Sequence, residues 1–454
     1  VTSTPGLERR LGVLDGALLT IGSVIGTGIF FTAGEVARAI PDPAGFLLVW
    51  AASGLLTLAG ALTYAELGAM MPRAGGLYAY LSEAYGTVWG FFYGWACLLV
   101  IMSGGIAAIA VGFGESMNGI APALMARIPS ATFGLGPMRF TLGSTQAAAI
   151  AAIVILTVIN HRGLGPGALA QNALTWVRIG AIALFAALGA FAAPGPAHAA
   201  SAADSIGLAG IGVGLLATLW AYDGWYALGC SAGEVRDPGR TLPRGLIGGT
   251  VVIVILYVAM NAVILRALPI ATLASSARPA EAAAGVLFGE PGARMMAVVV
   301  ACASFGCLAS TILYSSRVYL PMAEDGVFFR SVAAIHPRFH VPVRSLWLQS
   351  AWAIALVTTG TYVQLFTWVT FAVVLFHVAT AAAVYVLRIR RPDAERPYRV
   401  SGYPWVPAVF IAGMAAVLIS TIIVRPAESL AGLGAIALGW PAYAWWRLRA
   451  STSL

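Results

Sequence analysis

The chain has 454 residues, of which 59% are hydrophobic and 10% charged, and its mean hydropathy is +0.86. Soluble domains carry about 25% charged residues, so no segment here reads as one, and the class expected is an all-α integral membrane protein. The formal charge is +8 and every one of the 26 basic residues is arginine; these lie between apolar runs, which argues against nucleic acid as a partner and for a bilayer.

Runs of about 20 apolar residues cross a bilayer as helices that satisfy their own backbone, and twelve are predicted. After a polar tail over 1–10, the first covers 11–38 and contains Ile21-Gly22-Ser23-Val24-Ile25-Gly26-Thr27-Gly28-Ile29-Phe30. Each glycine inside a helix costs about 1 kcal/mol against alanine. Either these glycines let helices pack closely, or the helix unwinds at Gly26-Thr27-Gly28, which is tolerated only where backbone lines protein or a watery cavity. The second span, 44–71, ends with Glu66; after Pro72, residues 76–81 begin an amphipathic segment. The third and fourth are 87–118, with Glu115 near its end, and 141–160. The fifth, 170–192, carries Arg178 inside its apolar run, and an Ala/Ser/Pro linker follows over Pro194–Ser205.

The sixth span, 206–232, holds Leu219-Trp220-Ala221-Tyr222-Asp223-Gly224-Trp225. An acid in mid-membrane is expensive and marks function. The seventh is 243–267. A loop over Pro269–Gly292, in which Arg278–Phe288 reads as a short helix, leads to the eighth, 293–324. The ninth and tenth, 344–360 and 362–388, divide near Gly360-Thr361. His377 lies deep in the tenth, as a proton carrier or as a satisfied core histidine. The eleventh is 403–424 and the twelfth 428–447, with Trp440, Trp445 and Trp446 as interfacial anchors, before a tail over 448–454.

With the N-terminus in the cytoplasm, 17 arginines fall in inner loops and 7 in outer ones. The positive-inside rule therefore places both termini inside, in a cell membrane and by expectation a bacterial inner membrane. No cleavable secretory signal is seen. Cys97, Cys230, Cys302 and Cys307 all fall in apolar runs and read as small buried hydrophobes. No zinc ligand set, phosphate loop or catalytic triad is apparent, so neither an enzyme, a metal site nor a cofactor is expected.

Breaks in the first and sixth spans, each opening a group of five, are the mark of a transporter built from inverted repeats. Freed N–H groups at the start of the outer half of span one would bind a carboxylate, helped by the helix dipole. Freed carbonyls near Ser23–Ile25 and Trp220–Tyr222 would accept from an ammonium group. An α-amino acid carries both.

These residues, followed in order by Tyr64-Ala65-Glu66-Leu67-Gly68, Pro72-Arg73-Ala74-Gly75-Gly76-Leu77-Tyr78, Gly233-Glu234-Val235-Arg236-Asp237-Pro238, Leu242-Pro243-Arg244, Phe305-Gly306-Cys307 and Ser315-Ser316-Arg317, resemble the amino acid–polyamine–organocation superfamily, and within it the L-type amino acid transporters and their bacterial exchangers. The resemblance spans at least 11–345. It implies a LeuT-like fold of two inverted five-helix repeats, 11–192 and 206–388, plus two C-terminal helices over 403–447. It implies sodium-independent amino acid transport, often by exchange, with neutral amino acids as the first expectation. Gly26, Thr27 and Gly28 would hold the substrate carboxylate, Trp220 would be an aromatic gate, and Ser23, Ile25, Ala221, Tyr222, Asp223 and Gly224 would complete the site. Asp223 also occurs in relatives that accept cationic amino acids and in neutral-selective bacterial exchangers, so it does not choose between them. Where the family commonly has lysine in span five, this chain has Arg178. Arginine does not deprotonate in proteins, so Arg178 is either a permanently charged strut in the place of a sodium ion or a side chain that snorkels to the inner surface; Ser304 and Ser310 either face it across span eight or pack between helices. Glu66, Glu234, Arg236, Arg240 and Arg317 form either a cytoplasmic latch or solvated helix ends. Relatives that pair by a disulfide with a single-span glycoprotein do so through the loop that here is Gly119–Phe140. It lacks cysteine, so no disulfide-linked ancillary subunit and a monomer are expected. The competing readings are proton-coupled uptake of amino acids or amines, cationic amino acids included, and a non-transporting amino acid sensor.

Overall fold

The structure, a computed structural model, describes residues 7–135, 138–192, 207–359 and 362–451. The first apolar run forms α1 (Val13–Val24) and α2 (Gly28–Ala39), bent by 45° at the residues between them. α3 (Pro43–Met70) starts behind Asp42, whose carboxylate caps the Gly45 N–H at 2.6 Å. α4 (Leu77–Tyr85) follows. Its residues 77–81 are all buried against α5 (Thr87–Ala96) and α17 (Tyr362–Arg390), so the segment is an internal wedge rather than an amphipathic surface helix. α5 passes through a π turn at Cys97–Ile101 into α6 (Met102–Ile120). After α7 (Pro122–Met125), an antiparallel hairpin of β1 (Ala131–Leu135) and β2 (Met138–Leu142), unforeseen in the sequence, delays the fourth span to α8 (Ser144–His161).

α9 (Leu164–Phe191) carries Arg178. The Pro194–Ser205 linker and Gly360-Thr361 lie outside the described residues. The sixth span is α10 (Leu208–Tyr222), an irregular stretch and the short α11 (Ala227–Cys230). α12 (Pro238–Ala267) leads to α13 (Ile270–Ser275). α14 (Pro279–Ser315) joins the expected loop helix to the eighth span across a non-helical Gly289, and α15 (Tyr319–Glu324) continues it. α16 (Val343–Val357), α17, α18 (Trp405–Val424), α19 (Pro426–Ala437) and α20 (Gly439–Ser451) complete the chain.

Among the described residues eight helices are long and apolar enough to cross a membrane, and the bent α1–α2 pair brings the number to nine. The apolar helices α10 and α16 are shorter, and the expected twelfth span is divided at Leu438 into α19 and α20. The span made by α5 and α6 is 83% buried over its most apolar window, against 28% for α8. The former therefore runs through the middle of the bundle and the latter along its rim. Leu184, Leu188, Ile155 and Ile159 are exposed there, as a surface facing lipid requires. The reading of all four cysteines as buried fails at Cys302, which is exposed on the outer face of α14; Cys97, Cys230 and Cys307 are buried.

Candidate functional site

The two broken spans meet in the middle of the molecule. α1 stops because Ile25 leaves helical geometry (φ −71°, ψ 88°). Among the described residues the N–H groups of Gly26, Thr27, Gly28 and Ile29 make no hydrogen bond. They cluster at the positive end of α2, where an anion is stabilised. Opposite them α10 stops at Tyr222. Asp223 is extended (φ −64°, ψ 155°), and the carbonyls of Ala221 and Tyr222 accept no hydrogen bond among the described residues. Two glycines make this meeting possible. Gly224 has φ 98°, and a Cβ there would sit 2.6 Å from the Ser23 carbonyl oxygen; a Cβ on Gly28 would sit 2.5 Å from the Ala221 Cα.

Between the breaks lies a cavity of about 30 Å³, bounded by Ser23, Gly26, Thr27, Gly28, Trp220, Asp223 and Gly224, and on the other side by α6 and α14 through residues such as Gly105, Ile109, Cys307 and Thr311. That volume holds a water or two, so this is a closed state. The closure is one residue thick on one side. Trp220 Nε1 donates to the Tyr362 hydroxyl at 2.9 Å, which donates to Thr27 Oγ1 at 3.3 Å, and Phe366 stacks on the indole at 5.9 Å. Beyond Tyr362, at the end of the bundle opposite the N-terminal tail, a vestibule of about 560 Å³ opens among Glu35, Arg38, Glu115, Asn118 and Arg278.

Toward the tail end the closure is deeper and charged. Arg317 grips Glu234 through two bonds of 2.9 and 3.1 Å, with the side chains 0% and 2% exposed. The N–H groups of Arg10 and Leu11 donate to the Glu234 carbonyl at 2.8 and 2.9 Å, so the N-terminal tail is laced across the same spot. Glu66 is not part of this pair. It takes Arg388 through bonds of 2.9 and 2.7 Å, Arg396 at 3.5 Å and the Val400 N–H at 2.7 Å. Arg236 and Arg240 are exposed and form no ion pair among the described residues; Arg236 contributes its backbone N–H to Leu11 at 2.9 Å.

Arg178 is 1% exposed and does not reach the surface. Its guanidinium donates to the carbonyls of Gly22 (2.7 Å) and Ile25 (3.1 Å), to Thr175 Oγ1 (2.9 Å) and to Leu174 in its own helix (3.1 Å). A cation thus stands at the negative end of α1, where the dipole favours it. Gly306 lets α14 approach: a Cβ there would be 3.1 Å from the guanidinium carbon. Ser310 joins the group, bonded to Gln171 and 3.4 Å from the Gly22 carbonyl, whereas Ser304 bonds only Val300 in its own helix at 2.7 Å.

Three predicted contacts stand back from the cavity. Ile25 and Ala221 are buried behind it, and Tyr222 turns away to donate to the Trp50 carbonyl at 3.2 Å. The carbonyls of Ser23, Val24 and Ile25 are already occupied by Cys307 Sγ, the Tyr257 hydroxyl and Arg178. The unoccupied acceptors are therefore on the α10 side. Sequence reasoning missed Tyr362, whose position at the start of a span resembles that of any interfacial aromatic. It also missed the π turn at Cys97–Ile101, which brings Ile101 and Met102 to the cavity. Such turns recur at functional sites but leave no mark in hydropathy.

A sequence profile of the amino acid permease family matches residues 11–436. The chain is 34% identical over 428 residues to the serine/threonine exchanger SteT of Bacillus subtilis, covering 93% of each chain. It is 28% identical over 407 residues to the human b(0,+)-type amino acid transporter 1 (87% of this chain, 80% of the relative). It is 28% identical over 451 residues to the mouse large neutral amino acids transporter small subunit 2 (96% and 81%). With two broken spans crossing at a closed central cavity and a family profile matched over nearly its whole length, the chain belongs to the amino acid permeases of the amino acid–polyamine–organocation superfamily.

Proposed function

We propose that this protein is a sodium-independent exchanger of neutral L-amino acids that works by alternating access on a LeuT-like fold of twelve spans, with both termini in the cytoplasm of a bacterial inner membrane. The observation that carries the reading is a cavity walled by both breaks, with the unbonded N–H groups of Gly26, Thr27 and Gly28 at the first and Asp223 and Gly224, just beyond the unbonded Ala221 and Tyr222 carbonyls, at the second. A carboxylate would find donors at the first break and an ammonium acceptors at the second, and an α-amino acid carries both groups. Relatives named as a serine/threonine exchanger and as amino acid transporters support the substrate class. The substrate enters from the vestibule, the carboxylate seats on the N-terminus of α2, and Trp220 and Tyr362 close over it. The helix bundle then rocks against the scaffold, and the Glu234–Arg317 pair parts to open the tail end. Arg178 holds a permanent charge against α1, which removes the need for a sodium ion there. The chain acts as a monomer with no disulfide-linked partner.

The test is counterflow. Proteoliposomes loaded with unlabelled serine should take up labelled serine faster than empty ones, equally well with choline in place of sodium. Uptake indifferent to internal amino acid, across all twenty tested, would sink the exchange reading. A second reading, proton-coupled uptake, is favoured by the Asp223–His377 contact of 3.9 Å; accumulation driven by a pH gradient into empty vesicles distinguishes it.

A further inference from the structure

Three of the five histidines, His161, His336 and His340, gather with arginines at the tail end of the molecule, away from the central cavity. The turn His161-Arg162-Gly163 at the end of α8 docks on the loop between α15 and α16. Gly163 has φ 89°, and a Cβ there would lie 2.6 Å from the Phe339 carbonyl oxygen, so a side chain at this position would hold the two segments apart. Brought together in this way, the ring of His161 lies 5.9 Å from that of His336 and 5.9 Å from that of Phe339, and the last two stack at 4.6 Å. Arg338 holds its guanidinium carbon 5.5 Å from the centre of the Phe339 ring.

Hydrogen bonds fix which imidazole nitrogen carries the proton. Trp347 Nε1 donates to His161 Nδ1 at 3.1 Å, and the N–H groups of Arg338 and Phe339 donate to His336 Nδ1 at 3.2 and 3.3 Å. Indole and amide N–H groups only donate, so both Nδ1 atoms accept and both rings are neutral with the proton on Nε2. Among the described residues neither Nε2–H has an acceptor. This tautomer suits an anion rather than a metal, because a histidine ligand donates from its other ring nitrogen, which here accepts.

The charge around the rings points the same way. Residues 158–172 and 326–355 include Arg162, Arg330, Arg338 and Arg344 and no Asp or Glu. All four arginines are exposed, and among the described residues none is in an ion pair. The acid that approaches, Glu8 of the tail, pairs with Arg10 and faces His340 Nε2 at 3.6 Å. Leading up to His161, α8 presents a strip of exposed apolar side chains, Val154, Ile155, Val158 and Ile159. The strip is a surface for acyl chains, and it ends at the arginines and the two ring donors.

We propose that this cluster binds the headgroup phosphate of an anionic phospholipid of the phosphatidylglycerol class. Arg162 and Arg338 take the phosphate oxygens through paired N–H donors, the two Nε2–H groups add to them, and the acyl chains run along the α8 strip. The apolar strip is what selects a lipid over free phosphate. Bound there, the lipid joins the α8–α9 turn to the loop before α16, and the gain appears as thermal stability.

The experiment melts the full chain, purified in a neutral detergent, with phosphatidylglycerol, with phosphatidylcholine of the same acyl chains, or with inorganic phosphate. Phosphatidylglycerol at saturation should raise the melting temperature by about 3 °C or more, and the other two should leave it nearly unchanged. Arg162→Gln combined with Arg338→Gln should abolish the shift, and each single variant should lose part of it. Melting without lipid should stay at the wild-type value, because both side chains are exposed. Arg399→Gln combined with Arg447→Gln removes the same charge from other exposed positions and should keep the shift. Equal shifts with both lipids, or a shift lost equally in the Arg399/Arg447 control, overturn the site. A shift of the same size with inorganic phosphate overturns the lipid assignment. None of these readings involves transport, so the exchange proposal stands or falls separately.

Discussion

The buried pair between Glu234 and Arg317 gives the sharpest handle on how the tail end is held closed. At 2.9 Å and an effective dielectric constant of about 20, the attraction is about 6 kcal/mol. Much of that offsets the desolvation of two groups that are 2% and 0% exposed. Removing one partner leaves the other charge buried and alone, which costs about 3–5 kcal/mol. At 1.4 kcal/mol per decade this shifts the balance toward an open tail end by two to three decades or more. Glu234→Gln and Arg317→Met should each melt earlier in detergent. Each should also expose Cys230, buried on α11, to a water-soluble maleimide in a background where exposed Cys302 and cavity-lining Cys307 are alanine. The double variant removes both charges together and should recover most of the stability. Single variants that melt and label like the wild type, or a double variant that loses the sum of the two singles, would refute the role given to the pair.

Arg178→Ala strips donors from the Gly22 and Ile25 carbonyls, each a buried acceptor worth about 1–3 kcal/mol when left unpaired; thermal unfolding should show the loss, and Arg178→Lys should restore only part of it because one ammonium lacks the guanidinium fork. Trp220→Ala should slow counterflow by about tenfold or more while the protein still reaches the membrane; wild-type rates would remove the indole from the gate. Tyr362→Phe deletes the link between Trp220 and Thr27, worth about 0.5–1.5 kcal/mol, and should speed substrate release toward the vestibule by up to about tenfold in a dissociation assay. Gly28→Val places a branched side chain where Ala221 Cα lies 2.5 Å from the first added carbon, and loss of substrate binding without loss of the other spans is the expected result.

The places where backbone must do something unusual were readable from the chain. Gly26-Thr27-Gly28 and Asp223-Gly224 announce themselves because a broken membrane helix needs residues that tolerate it, and the structure breaks at both. The buried cation at Arg178 was readable as a choice between two positions, and its bonds to Gly22 and Ile25 decide between them. What was hidden is pairing over long separations. Glu66 looked like a companion of Glu234 because both close an inner helix end. Its partners Arg388 and Arg396 lie more than 300 residues away, and nothing local links them. Tyr362 and the π turn were hidden for the opposite reason: an aromatic at a span start and an unbroken apolar run are what any membrane helix shows. The hairpin of Ala131–Leu142 was missed because a short strand pair outside the bundle makes no hydropathy signal of its own.

If it acts as the gate proposed above, the single layer of Trp220, Tyr362 and Phe366 also sets the order of events in time. Side-chain and loop motions occur in picoseconds to microseconds, whereas collective movement of helices takes microseconds to milliseconds. On the alternating-access reading proposed above, a molecule bound under that layer would trade places with the vestibule many times before the ion pair at the other end parted. Occupancy of the cavity would then be set by equilibrium with the vestibule side, and the slow rocking step would sample whichever occupant is present. In such an arrangement, competition between amino acids is decided by their relative affinities, not by which arrives first.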